Sequence, residues 1–203
     1  MHDIEDLEMM RKAIGEESPM ARKKIYNHLN VRMQKFIEQS PLLMLSSVDE
    51  LGFPTISPKG DKPGFVDVID NKKLLIPERK GNKLAFSLTN ILSNNKVSLI
   101  FIVPGSNETL RVAGECRLLG GELLCKKLAS DSHDALLVME VSIINAYFHC
   151  NKAFLRSQIW SASSWPEPIK ISFGKEIAEN TGADDSFIKQ VDTAVEDRAL
   201  TDL

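Results

Sequence analysis

Residues 42–57 read LLMLSSVDELGFPTIS. Two runs of strand-forming residues, LLMLSSV and FPTIS, flank the turn Asp49–Glu50–Leu51–Gly52. A loop of this length ending in glycine between two such runs predicts an antiparallel hairpin. Working outward, FVDVI and KLLI predict a second hairpin through Asp70–Asn71–Lys72. VSLIFIV, TLRVAGECRLL and ALLVMEVSII predict three more strands, with Gly114 marking a bend or bulge. Helices are inserted singly. ARKKIYNHL reads as a short helix after Ser18-Pro19, and residues 31–39 as a second with Val31, Phe36 and Ile37 near one face. Residues 83–92 carry Leu84, Leu88, Ile91 and Leu92 at helical spacing. Short helices are also expected over 121–129 and 145–160, and an acidic one at the C-terminus. Hairpin-length connections argue against a parallel doubly wound sheet. Closing six or seven strands removes exposed edges. The expected fold class is α+β, an antiparallel six- or seven-stranded split β-barrel with flanking helices.

Composition bounds the function. A net charge of -3 gives no reason to expect a nucleic-acid partner. The apolar run near residues 99–103 is far too short to span a bilayer, so no membrane partner is expected. The acidic start MHDIEDLEMM is unlike a secretory signal, and Cys116, Cys125 and Cys150 have no metal spacing, which predicts a cytoplasmic protein with reduced thiols. No metal site is expected from the four dispersed histidines. Charge is unevenly placed. Residues 51–90 hold seven Lys/Arg and four Asp/Glu, whereas 172–203 hold three and eight. The organisation expected is an acidic segment over 1–17, a ligand-binding barrel domain with N-terminal helices over 18–171, and an acidic helical extension over 172–203.

Two loops in the cationic middle carry the chemistry. SPKGDKPGFV places Ser57, Lys59 and Asp61 at a strand end, and Gly60 and Gly64 let the backbone approach a ligand; the same residues also suit a solvated surface turn. IPERKGNKL places Arg79, Lys80 and Lys83 around Gly81 and Asn82, read here as the entrance to a helix. Cations at a helix N-terminus oppose its dipole unless an anion sits among them, and the free N–H groups there favour an anion. Asn82 is also a natural N-cap. Arg111 stands inside an apolar strand, where it can face solvent, pair with Glu115 or face a ligand. Lys152 and Arg156, spaced i and i+4, share a helix face, with Tyr147, Phe154 and Trp160 supplying aromatic surface. His149 reads as structural. Trp165, in a Ser/Pro-rich loop, needs something flat to cover, either protein or a ring. The acidic tail would repel a phosphate and is expected to contribute little to its site.

Together, SPLLMLSSVDELGFPTISPKGDKPGFV, LLIPERKGNKLAFSLTNIL, VSLIFIVPGSNETLRVAGECRL and YFHCNKAFLRSQIW resemble the pyridoxamine 5'-phosphate oxidase-like, FMN-binding split-barrel family, in a poorly characterised branch. The resemblance implies a homodimer with two FMN sites at the subunit interface. Residues 55–61 would line the isoalloxazine. Arg79, Lys80, Gly81, Asn82 and Lys83 would hold the phosphate, with Arg111 near the site. Lys152, Arg156, Trp160 and Trp165 would approach from the partner subunit. The basic residue usual in the second strand is replaced by Ser57 and Lys59, and the C-terminal Arg- and His-bearing substrate motif is missing, so pyridoxamine phosphate oxidation is not assigned. Phe86 stands where a polar helix residue is expected. The function expected is an FMN-dependent oxidoreductase of unknown substrate, with an electron donor such as NAD(P)H. The alternative is a non-catalytic module binding flavin, deazaflavin or haem, as a redox sensor or carrier.

Overall fold

The computed structural model describes residues 2–81 and 83–202. Seven strands, β1 (Leu42–Val48), β2 (Pro54–Gly60), β3 (Asp67–Asp70), β4 (Lys73–Glu78), β5 (Lys96–Ile102), β6 (Thr109–Leu119) and β7 (Leu137–His149), form one sheet in the order β2-β1-β5-β6-β7-β4-β3. Every neighbouring pair is antiparallel. The helices are α1 (Leu7–Ile14), α2 (Val31–Gln39), α3 (Phe86–Ser93), α4 (Glu122–Lys127), α5 (Lys152–Ser157), α6 (Phe173–Thr181) and α7 (Asp185–Thr201). This is an α+β protein, a split β-barrel with flanking helices.

Period-two burial positions the interior. Along β1, Leu43, Leu45 and Ser47 are buried and their neighbours half-buried. Their cross-strand partners on β2 are Lys59, Ser57 and Thr55, so these three share the inward face. Leu99, Phe101, Leu110, Val112, Leu74, Ile76 and Met139 fill the core, and α2 adds Met33 and Ile37. One polar cluster sits among them: Asn90 Nδ2 donates to Ser47 Oγ at 3.1 Å and Thr55 Oγ1 at 3.0 Å, which fixes α3 to the first hairpin. Cys116 is buried, and burial, reinforced by the charge of Glu140, pushes its thiol up to about 12, so it stays protonated. The β6–β7 register shifts between Ala113 and Gly114, as expected of a bulge, and a Cβ at Gly114 would stand 2.3 Å from the Ser142 carbonyl oxygen.

Several expectations are corrected. The helix read in ARKKIYNHL is only a 3-10 turn, Arg22–Lys24. Tyr26 instead bridges Ala146, and Leu29 N–H bonds to Asn71 O at 2.8 Å; the edge of the barrel takes these backbone groups and overrides weak helical propensity. Within α2 the buried face is Met33 and Ile37, while Val31 is exposed. SPKG belongs to β2 rather than to a loop. The helix placed over 145–160 is split, with residues 145–149 belonging to β7. β7 continues to His149 because β6 extends to Thr109 and needs a partner, leaving only Lys152–Ser157 helical. α3 begins at Phe86, after Ala85 in the left-handed region with φ 52. Asn82, read as an N-cap, lies outside the described residues.

The C-terminus holds two helices. α6 is capped by Ser172 and stopped by Gly182, and α7 is capped by Asp184. They pack closely where Gly174 meets Ile188; a Cβ at Gly174 would lie 2.4 Å from Ile188 O. Asp192 locks the pair, accepting from Ser172 Oγ at 2.6 Å and from Gly174 N at 2.9 Å. α7 has no buried residue.

Candidate cofactor site

Two ion pairs stand where the ends of β2 and β4 meet. Lys59, inward on β2, places Nζ 2.5 Å from Glu78 Oε2 at the end of β4; their side chains are 6% and 7% exposed. One step outward, Arg79 Nε donates to Asp61 Oδ2 at 2.7 Å, and Arg79 Nη1 donates to Leu128 O at 2.7 Å. β2 and β4 are not hydrogen-bonded neighbours in the sheet. Side-chain charge therefore bridges the split at this end. Lys62 with Asp131 and Lys127 with Asp67 add exposed pairs that tie the first loop and β3 to the α4 region.

Beyond this closure the chain opens into a cavity of about 810 Å³, lined by the Glu78–Gly81 turn, Lys83, Leu84, Leu88, Leu136, Leu137, Arg198 and Asp202. Lys80 and Lys83 are exposed and make no ion pair among the described residues. Gly81, with φ 117, gives the turn a conformation that a side chain would strain. The cations precede α3 rather than cap it, so the helix-dipole argument does not apply to them. Electrostatics at this cavity rest on the side chains themselves. Their number exceeds what the loop alone supplies, because Arg198 of the tail also lines the wall. Residues 172–203, expected to contribute little to a phosphate site, place Arg198 and Asp202 on the wall of this cavity.

The remaining expected residues lie elsewhere in the chain. Leu137, opposite Glu78, and Tyr147, opposite Arg111, are separated by roughly 30 Å measured along β7. Arg111 is half-buried on the outer face of the sheet, and its Nε is buried without an acceptor. Burial, with the charges of Arg111 and Lys24, holds the His149 imidazole below the usual histidine value; a backbone hydrogen bond at Cys150 opposes them. Lys152 and Arg156 are exposed on α5. Trp160 Nε1 donates to Ser106 O at 2.8 Å, and its ring lies 5.9 Å from that of Phe154. Trp165 Nε1 donates to Ile159 O at 2.8 Å while 60% of the residue is exposed. One chain thus brings together Lys59, Gly60, Asp61, Arg79, Lys80, Gly81 and Lys83, with Ser57 on the same inward face as Lys59. It leaves Arg111, Lys152, Arg156, Trp160 and Trp165 at the other end.

Sequence reasoning passed over Glu78 and Arg198. A signal existed for Glu78: an acid closing a buried strand needs a cation, and Lys59 is the inward one. None existed for Arg198, which reaches the cavity only through the path of the tail.

A family model described as pyridoxamine 5'-phosphate oxidase matches residues 29–150. No curated protein matches the chain. Among solved structures, HupZ of Group A Streptococcus is 21% identical, covers 59% of this chain and 93% of its own, and has a TM-score of 0.48. A protein of Lactobacillus delbrueckii described as a pyridoxamine 5'-phosphate oxidase is 23% identical over 60% of this chain and 95% of its own, with a TM-score of 0.48. HutZ, the heme storage protein from Vibrio cholerae, is 16% identical over 57% of this chain and 89% of its own, with a TM-score of 0.39. Among the described residues, no helix is long and apolar enough to cross a membrane. On the family match across more than half its length, this chain belongs to the pyridoxamine 5'-phosphate oxidase family.

Proposed function

We propose that the chain is an FMN-dependent oxidoreductase acting on a small-molecule substrate, with an electron donor such as NAD(P)H, and that it binds the flavin at a homodimer interface in the cytoplasm. The observation that carries this reading is the cavity beside the Arg79–Lys83 turn. It sets the unpaired cations Lys80 and Lys83 against a wall of Leu84, Leu88, Leu136 and Leu137. A volume of about 810 Å³ is of the size that holds a cofactor-sized ligand. The residues fit the group: an anion needs the cations, and a flat ring needs the apolar wall. Arg79 uses two of its guanidinium N–H groups on Asp61 and Leu128 and keeps others for a phosphate.

The flavin, when bound, supplies hydride and electron transfer. The chain supplies charge, orientation and exclusion of water. Lys80, Lys83 and Arg79 neutralise the phosphate, with the Gly81 backbone close to it. Asp61 holds the Arg79 guanidinium in place, and Lys59 and Glu78 hold the two strands that present the turn. Ser57 and Gly60 lie on the ring side. Arg111, Lys152, Arg156, Trp160 and Trp165 come from the partner subunit and complete the second wall. This reading divides the chain into a barrel domain over 18–171 flanked by the 1–17 and 172–203 extensions. The absorption spectrum of the purified protein tests it. Two broad bands in the near-ultraviolet and blue are expected. A Soret band, or a single violet band from a deazaflavin, would replace this reading with the corresponding alternative.

A further inference from the structure

α7 ends at the candidate phosphate cavity, and its last-turn cation, Arg198, forms part of the wall with Asp202. The guanidinium of Arg198 makes no ion pair or side-chain hydrogen bond among the described residues. Charge on the cavity can be assigned residue by residue. Glu78 is paired with Lys59 and Arg79 with Asp61. What stays uncompensated is Lys80, Lys83 and Arg198 against Asp202 alone. The surplus is two positive charges, the charge that a phosphate monoester dianion balances. Without Arg198 the surplus falls to one.

The rest of the tail explains why such a cation would be delivered on a separate element. α6 and α7 are fixed to each other through Asp192 and the Gly174–Ile188 contact. No residue of α7 is fully buried, and its apolar Phe187, Ile188, Val191 and Val195 are half-buried. The hairpin joins the body through residues 166–171, which are exposed and without regular structure. With no fully buried side chain on α7, attraction to a ligand's charge can add to what holds the hairpin down.

We propose that Arg198 is a phosphate-binding residue and that the α6–α7 hairpin is a clasp which closes on the phosphate of the bound cofactor. The proposal rests on the phosphate assignment made above for the Arg79–Lys83 turn. Cofactor selection then depends on a cation outside the family-matched segment, residues 29–150.

The test is a parallel titration of FMN and riboflavin into wild-type protein, Arg198→Ala, Arg198→Lys and Lys83→Ala. Arg198 is exposed, so its variants keep the fold. Arg198→Ala is expected to weaken FMN roughly tenfold, as expected for loss of one charge-assisted contact, and to leave riboflavin unchanged. Arg198→Lys is expected to restore part of the loss, and FMN is expected to protect residues 166–171 from protease in the wild type. Unchanged FMN affinity in Arg198→Ala, with affinity lost in Lys83→Ala, would overturn the clasp and leave the phosphate site standing. Equal binding of FMN and riboflavin by the wild type would overturn the phosphate site and the clasp with it.

Discussion

The two ends of the barrel differ in how their charges are satisfied. At the β2–β4 end, Lys59, Asp61, Glu78 and Arg79 pair among themselves and close the split. At the far end of β6 and β7, Arg111 Nε is buried without an acceptor, and Trp165 lies largely exposed. A buried donor left unpaired in one chain costs free energy that a second chain can recover. The buried charges of the first end are paired within one molecule; the second keeps a buried donor that, in the proposed dimer, a partner subunit could satisfy. The comparison also separates residues that build the barrel from residues that face a ligand, although the sequence places both kinds in the same motifs.

The largest effect is expected at the closed end. Glu78→Gln leaves Lys59 buried without a counter-charge and is expected to destabilise the fold by about 3–5 kcal/mol. Lys59→Met with Glu78→Leu is expected to recover most of that loss. Denaturant unfolding measures both, and a Glu78→Gln variant as stable as the wild type would mean the closure is not electrostatic. Next is Arg79→Ala, which removes the Asp61 and Leu128 bonds and one phosphate donor. FMN affinity is expected to fall by about 1.5–3 kcal/mol. If stability falls and FMN affinity does not, Arg79 belongs wholly to the closure.

A smaller effect comes from His149. Its folded pKa lies below the usual 6.5, so the unfolded chain binds a proton more readily in that range. Stability is therefore expected to decline as pH falls below about 6.5 towards the lowered folded value. His149→Gln should remove that component, and an unaltered pH profile would contradict the assignment. The smallest effect is expected for Trp165→Phe. Its indole is largely exposed, so the fold should persist, and flavin emission should rise if Trp165 of one subunit quenches the flavin of the other. Unchanged emission in both Trp165→Phe and Trp160→Phe would assign these rings to packing.

Much of the barrel was legible because its strands carry local signals. The hairpin around Gly52 and the bulge at Gly114 each follow from a residue type at a fixed place in an apolar run. The end of β7 was not legible, because NAYFH packs apolar and aromatic residues too closely to separate period two from a helical face. Only the length of β6 decides it. The start of α3 was misplaced by three residues, since the helical spacing includes Leu84 whereas the left-handed Ala85 breaks the helix after it. The loop cations were legible as a group. Their division into the ion-paired Arg79 and Lys59 and the Lys80 and Lys83 that have no ion pair among the described residues was not, because it depends on which acids the fold brings near. Arg198 reaches the cavity through tertiary placement alone.

In the proposed dimer each flavin site takes its phosphate turn from one chain and its far wall from another. Subunit complementation tests it most directly. Lys83→Ala breaks the turn and Arg111→Ala breaks the far wall, so each homodimer should bind FMN weakly. A heterodimer of the two, isolated with different tags after co-expression, would hold one doubly altered site and one intact site. One tightly bound FMN per heterodimer, at wild-type affinity, is expected. A heterodimer that binds no better than either parent, or a wild-type monomer that retains the flavin, would contradict it.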